Sequence, residues 1–345
     1  MKKICILGYF GYQTNQLDGQ TIKTRNLYDL VKKNIATEIC YYDTEKFKYN
    51  KLSIVNMFFY LVTNRILFYL PAHNNLLKIF PIIYCLSRIF RFEIHYFVVG
   101  GWLKEFLEDK PWHRKMLSKI SGIHCETELM KTLLEKEYGF KNVDTFPNFR
   151  INSYKPTLHH EEGKLKLVFM ARVNKMKGLD TIFSACDKIK DNCLSEKINI
   201  DFYGPLQDLD NDIEYFNTNI TKYNFVKYNG PAEPSEIYGI LEKYDAMLLP
   251  THYYTEGLPG SVIDAYMSGI PVVVTKWKHA TEFVDDEKTG LIIPFDDDGT
   301  ELYDAVLRLL NNQELLSNMK SLSQKKGYDF SSDKAWELLQ KYLND

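Results

Sequence analysis

Short runs of β-branched and aromatic residues alternate with longer amphipathic stretches along the 345-residue chain. That alternation is the pattern of βαβ units with parallel strands. In the first half, Ile4–Leu7, Thr37–Tyr41, Ile66–Leu70, Ile94–Val99, Gly122–Cys125 and Val143–Phe146 predict strands, with helices over 19–33, 76–88, 111–120 and 127–138. The pattern turns polar from Pro147-Asn148 through Glu161-Glu162-Gly163, as an interdomain linker would. It then restarts with strands at Leu165–Ala171, Ile198–Tyr203, Val226–Asn229, Ala246–Pro250, Pro271–Thr275 and Gly290–Ile293, and helices over 178–190, 234–243, 259–268 and 299–311. A last helix, 332–343, follows a break at Gly327 and is compatible with either half. The expected class is α/β: two Rossmann-like doubly wound domains facing a cleft, spanning 1–155 and 156–327, the first completed by 328–345. Such sheets bind ligands at the carboxyl ends of their strands. Candidate chemistry is therefore sought in the loops that follow strands.

Composition narrows the class without naming a function. With 45% apolar and 26% charged residues, 18 Gly and 12 Pro, the chain fits an ordinary globular enzyme and not a fibrous or disordered protein. Its net charge of −2 hides an asymmetry: residues 1–150 hold 22 basic and 14 acidic residues, the remainder 21 and 31. A basic surface is expected on the first half only, and no dedicated nucleic-acid partner. Six cysteines (Cys5, Cys40, Cys85, Cys125, Cys186, Cys193) show no C-x-x-C and no clustered His. They read as small apolar fillers in a reducing cytoplasm rather than a disulfide framework or zinc site. The opening Met1–Gln13 reads as a buried strand entering a glycine turn, not a secretory signal. Ser53–Val62 is apolar but only ten residues long, and no segment reaches the roughly 18–20 uncharged residues that span a bilayer.

Two clusters carry chemistry. Glu256-Gly257-Leu258-Pro259-Gly260 follows the strand ending at Pro250 and opens a helix that carries Asp264. Glycines there let a ligand approach the backbone, and free amides at a helix start donate to hydroxyl or phosphate oxygens. Two carboxylates flanking a row of donors suit a polyhydroxylated ligand. A capped helix with acidic residues is the plain alternative. Arg172 ends the strand that begins at Leu165, and Lys177-Gly178 opens the next helix. Cations at that place form a diphosphate site, although a solvated basic turn has the same composition.

The R-x4-K-G of Arg172–Gly178, the E-G-L-P-G-x3-D-A of Glu256–Ala265 and the M-S-G-I-P-V-V-V that follows resemble the retaining glycosyltransferases of family 4. Phe202-Tyr203-Gly204, Tyr228-Asn229-Gly230-Pro231 and Thr289-Gly290-Leu291 resemble that family more weakly, and Phe146-Pro147-Asn148 resembles its usual exit from the first domain. The resemblance implies the GT-B fold and transfer of a sugar from a nucleotide diphosphate, UDP by family frequency, to a hydroxyl of a glycan or lipid-linked acceptor. It implies retention at the anomeric carbon, no metal or other cofactor, and a role in polysaccharide or glycolipid synthesis at the cell surface. Arg172, Lys177 and Glu256 are then the catalytic residues: Arg172 and Lys177 neutralise the diphosphate. Glu256 and the backbone of Gly257, Leu258, Pro259 and Gly260 hold the donor sugar. Gly204 and Pro231 border the nucleotide and Asp264 holds its ribose. The family motif usually has Glu at that last position; Asp shortens the reach by one methylene.

On the first half, Gly19 at a helix N-terminus could lend its amide to the diphosphate. His73, Gly100, Gly101 and Trp102 follow strands and are the acceptor-side candidates. Trp102 suits a stacking platform or a core filler equally, and His95, early in its strand, reads as a packed or surface residue. The acidic runs Asp208–Asp210 and Asp296–Asp298 read as solvated turns and not metal ligands. The apolar and basic stretch 76–91 reads as a buried helix with basic ends, or as a surface resting on anionic lipid. The expected location is the cytoplasm, with the inner membrane face as the place of any such contact. Two rival functions remain at this level: a nucleotide-sugar 2-epimerase of the same fold, and a non-catalytic sugar- or nucleotide-binding subunit.

Overall fold

The computed structural model describes residues 3–16, 18–35, 38–50, 52–151, 154–157 and 163–343. Its strands form two parallel six-stranded sheets, so the doubly wound α/β class expected from the alternation is observed. The chain divides into two compact units, Met1–Ile151 with Ser331–Asp345, and Asn152–Phe330.

The first sheet contains β1 (Ile4–Gly8), β2 (Ile39–Asp43), β3 (Ile66–Leu70), β4 (Glu93–Phe97), β5 (Gly122–Cys125) and β6 (Val143–Thr145), in the order β2-β1-β3-β4-β5-β6. Alternate residues of β1 face opposite ways, as the period of two requires. Ile4 and Ile6 pack with Leu27, Leu30 and Val31 of the helix Gly19–Asn34 and with Ala335 and Leu339 of the helix Ser332–Leu339. Cys5 and Leu7 pack on the other side with Met57 and Leu61 of the helix Ser53–Val62 and with Phe80 and Ile83 of the helix Phe80–Phe90. Both faces are covered, which is why the central strands β1 and β3 read as unbroken apolar runs.

The second sheet contains β7 (Leu165–Met170), β8 (Ile198–Tyr203), β9 (Val226–Tyr228), β10 (Ala246–Leu249), β11 (Val272–Thr275) and β12 (Gly290–Ile293), in the order β12-β11-β10-β7-β8-β9. Its strands and flanking helices share one continuous apolar core.

Several local expectations need correction. The helix expected over 76–88 is two helices, His73–Lys78 and Phe80–Phe90, because Pro81 starts a new helix where no amide is needed. The helix at 234–243 shrinks to Ile237–Leu241. Helices also form at Ser53–Val62, Asp212–Ile220 and Gln313–Gly327, which the sequence pattern does not predict. Cys85 and Cys193 are exposed rather than buried fillers. Asp297 is no solvated turn residue: it is buried, and its carboxylate accepts from the amides of Glu301 and Leu302 at 3.0 Å, capping the helix Thr300–Asn311. His95 is packed, its Nδ1 lying 3.1 Å from Nε2 of the buried His124. No helix among the described residues is long and apolar enough to cross a membrane.

Candidate active site

In the second sheet the chain winds outward from β7 in one direction and from β10 in the other, and these two strands are neighbours. Their carboxyl ends therefore flank the topological switch point, where the loops diverge and leave room for a ligand. The two loops are held against each other by backbone. A Cβ on Gly178, at φ +91°, would meet the Pro250 carbonyl oxygen at 2.1 Å, so glycine is required there. The His252 amide donates to the Met176 carbonyl at 2.9 Å.

Within this frame Lys177 Nζ donates to both oxygens of Glu256, at 2.6 and 2.7 Å. The side chains are only 7% and 18% exposed, so the pair is weakly screened by water. The ammonium also lies 4.9 Å from the ring centroid of Tyr253. Thr251, fully buried, places its hydroxyl 3.1 Å from Glu256 Oε2 and 3.2 Å from the Met176 carbonyl. Lys177 sits in a single 3₁₀ turn, Lys175–Lys177, whose start is capped by the buried Asn174: its Oδ1 accepts from the Lys177 amide at 3.0 Å. The sequence thus fixes the ammonium by a cap, a glycine and a carboxylate.

Glu256 leads directly into the helix Gly260–Met267, whose start at Pro259 has no side-chain cap. The amides of Gly260 and Ser261 have no carbonyl one helical turn back, so they remain donors without an intrahelical partner a few residues after Glu256. Asp264, on the same helix, is buried and accepts from the Tyr238 hydroxyl at 3.2 Å. Arg172 is exposed and carries no ion pair among the described residues. The loops after β7, β8 and β9 meet beside it: a Cβ on Gly204, at φ +133°, would strike the Ala171 carbonyl oxygen at 1.9 Å, and the Gly204 amide donates to Gly230 at 3.0 Å. Pro231 follows on the surface. The structure therefore gathers Lys177, Glu256 and the Gly260 helix start. It distributes Arg172, Gly204 and Pro231 over the loops of neighbouring strands, all at one end of the sheet.

In the first unit, Gly19 opens a helix whose amide start is already served by an acid. Asp18 accepts from the Thr21 amide at 2.9 Å, and Thr21 Oγ1 accepts from the Asp18 amide. His73 and Trp102 come together, with ring centroids 5.1 Å apart and Phe106 against both. The indole of Trp102 is half-buried and donates to the Val99 carbonyl at 2.7 Å. Gly100 takes φ +84°, its amide donates to Glu126 at 3.0 Å, and Gly101 is buried. The Gly100 amide is thus committed within the protein.

Sequence reasoning missed Thr251, Asn174, Tyr238 and the pair Asp180–His252, whose side chains lie 3.0 Å apart. The hydrogen bond to Asp180 raises the His252 pKa above its ordinary 6.5, with burial opposing it. Burial pushes the Asp180 carboxyl up, but the bond and charge of His252 outweigh it and hold the group below 3.8. Only the spacing of a His one turn after an apolar strand could have flagged it. Among the described residues, no three His, Cys, Asp or Glu side chains gather as a metal-ligand set.

A family model described as "Glycosyl transferases group 1" matches residues 151–326. WcaL of Escherichia coli K12, a glycosyltransferase provisionally assigned to colanic acid biosynthesis, is 27% identical over 176 residues, covering 48% of this chain and 42% of WcaL. The chain thus aligns with less than half the length of that relative. Among solved structures, Anabaena Alr3699/HepE in complex with UDP-glucose superposes with a TM-score of 0.76 at 14% identity, covering all of both chains. The lipopolysaccharide outer core galactosyltransferase WaaB does so with 0.70 at 11% identity, covering 99% of each. These likenesses show the two Rossmann-like units of the GT-B fold, and the family match spans the whole second sheet. The chain belongs to the glycosyl transferases group 1 family.

Proposed function

We propose that the protein transfers a sugar from a nucleoside diphosphate, most simply UDP, to a hydroxyl of a glycan or lipid-linked acceptor, with retention at the anomeric carbon, in the synthesis of a cell-surface polysaccharide. The observation that carries the reading is the Lys177–Glu256 pair at the switch point of the second sheet, beside the uncapped start of the helix Gly260–Met267. UDP-glucose in the similar HepE structure and the likeness to the galactosyltransferase WaaB support it.

The demanding step is stretching the bond between anomeric carbon and phosphate oxygen while positive charge grows on the sugar and negative charge on the diphosphate. Arg172, exposed and without a carboxylate partner among the described residues, answers the diphosphate charge. The amides of Gly260 and Ser261 add fixed donors. Glu256 accepts from sugar hydroxyls, and Lys177 holds that carboxylate in place while keeping one N–H for the leaving group. Asp264, steadied by Tyr238, accepts from ribose. The departing phosphate oxygen takes the acceptor's proton on the same face, so the chemistry asks for no metal. Neither Gly204 nor Pro231 needs to do more than border the nucleotide. His73 and Trp102 are the acceptor-side candidates of the first unit.

Incubation with a panel of nucleotide sugars, followed by chromatography of the products, tests the reading. Free UDP is expected, unaffected by EDTA. An epimerised nucleotide sugar with no free nucleotide would replace sugar transfer by isomerisation.

A further inference from the structure

From Lys46 to Phe92 the sequence holds seven Lys and Arg and no Asp or Glu, in a chain with 45 acidic residues. Two helices of this span are apolar on both sides. Ser53–Val62 turns Met57 and Leu61 into the core and leaves Val55 and Phe59 more than half exposed, with Leu52 just ahead of it 77% exposed. Phe80–Phe90 turns Phe80 and Ile83 inward and leaves Ile82 at 49% and Ile89 at 68% exposure. The rings of Phe58 and Phe90 meet edge to face at 5.7 Å and join the two outer faces into one surface. Arg65, Arg88 and Arg91 border it where the helices end. None of the three has a carboxylate partner among the described residues.

Folding accounts for the inner stripes and not for the outer ones. A helix that is apolar all round needs a second apolar neighbour. A second copy of the same face would bring two acid-free basic surfaces together, which like-charge repulsion opposes. Ten- and eleven-residue helices are too short to span a bilayer but suit its interface. We propose that this face docks on the surface of an anionic phospholipid bilayer. Leu52, Val55, Phe59, Ile82 and Ile89 enter the boundary between headgroups and acyl chains, and Arg65, Arg88 and Arg91 meet lipid phosphates. The site proposed for sugar transfer lies in the other unit and is not needed for this inference.

Co-sedimentation of the full chain with two kinds of vesicle tests it: phosphatidylcholine alone, and equal parts phosphatidylcholine and phosphatidylglycerol. Binding to the mixed vesicles is expected, falling with added salt. Arg65→Gln/Arg91→Asn should weaken it by about fivefold per charge removed. Phe59→Glu/Ile89→Glu should abolish it. Melting followed by circular dichroism checks that each variant folds, and the arginine variant alters no apolar contact if the glutamate variant does not fold. Equal binding to both vesicle types, or none to either, overturns the proposal. So does a concentration-dependent dimer that Phe59→Glu/Ile89→Glu dissociates in the absence of vesicle binding.

Discussion

Lys177 and Glu256, 79 residues apart in the chain, form a bidentate pair that ties the loop after β7 to the loop after β10. Each partner holds the other in place, so removing either disturbs more than its own contact. Lys177→Met and Glu256→Gln are each expected to lower turnover by about two to three orders of magnitude, the scale of losing one preorganised electrostatic group. The double variant should fall little further, because the two act as a unit. Rates of UDP release from donor, compared in a double-mutant cycle, check both statements.

Arg172 behaves differently, since nothing in the described protein depends on it. Arg172→Ala should change the unfolding free energy by no more than about 0.5 kcal/mol, the small range of neutral surface substitutions. It should nevertheless weaken UDP binding, and wild-type binding should weaken with salt. Titration calorimetry with UDP measures the effect directly; undiminished affinity would remove Arg172 from the diphosphate.

Gly178 and Gly19 offer a contrast in what a methyl group does. At Gly178 the added carbon meets the Pro250 carbonyl oxygen at 2.1 Å, while at Gly19 it meets nothing within 4 Å. Gly178→Ala should destabilise the fold by more than about 1 kcal/mol and abolish turnover with it. Gly19→Ala should melt at or above the wild-type temperature. Denaturant unfolding of the two variants is the test.

The Asp180–His252 pair makes stability depend on pH in a defined direction. The His252 pKa is raised above 6.5, so its contribution is complete below 6.5 and disappears as pH climbs through the folded value. The Asp180 value is lowered below 3.8, so its contribution is complete above 3.8 and disappears as pH drops through the folded value. Both act together between those ordinary values. The melting gap between wild type and Asp180→Asn should therefore be wide at pH values just below 6.5 and shrink on the alkaline side. A gap that widens as pH rises would contradict the assignment.

Lys23 and Glu126 form a second internal pair at 2.8 Å, with side chains only 1% and 3% exposed. Lys23 also donates to the Val98 carbonyl, and Glu126 accepts from the Gly100 amide. Lys23→Met should cost about 3–5 kcal/mol because it strands a buried carboxylate, and Lys23→Met/Glu126→Gln should recover part of that loss. Equilibrium unfolding of the single and double variants measures the difference.

The sheets were legible because their central strands, such as β1, β3, β10 and β11, are buried throughout and read as continuous apolar runs. The helix Gln313–Gly327 was not, since most of its surface is polar and its buried positions include Lys320 and Ser323. Lys177, Glu256 and the glycine helix start stood out by spacing after strands. Their mutual bond did not, because sequence separates residues that only the adjacency of β7 and β10 brings together. Thr251 and Asn174 gave still less signal: a buried hydroxyl and an amide cap have meaning only once their partners are placed. Asp297 was misread for the same reason, its acidic neighbours hiding that one of the three caps a helix.

Donor turnover in water, with no acceptor added, tests the central claim most directly. Wild-type protein incubated with UDP-sugars and followed by proton nuclear magnetic resonance should release UDP and free sugar slowly, and Lys177→Met and Glu256→Gln, still folded, should release almost none. Unchanged release by both variants would contradict a donor site built on the Lys177–Glu256 pair.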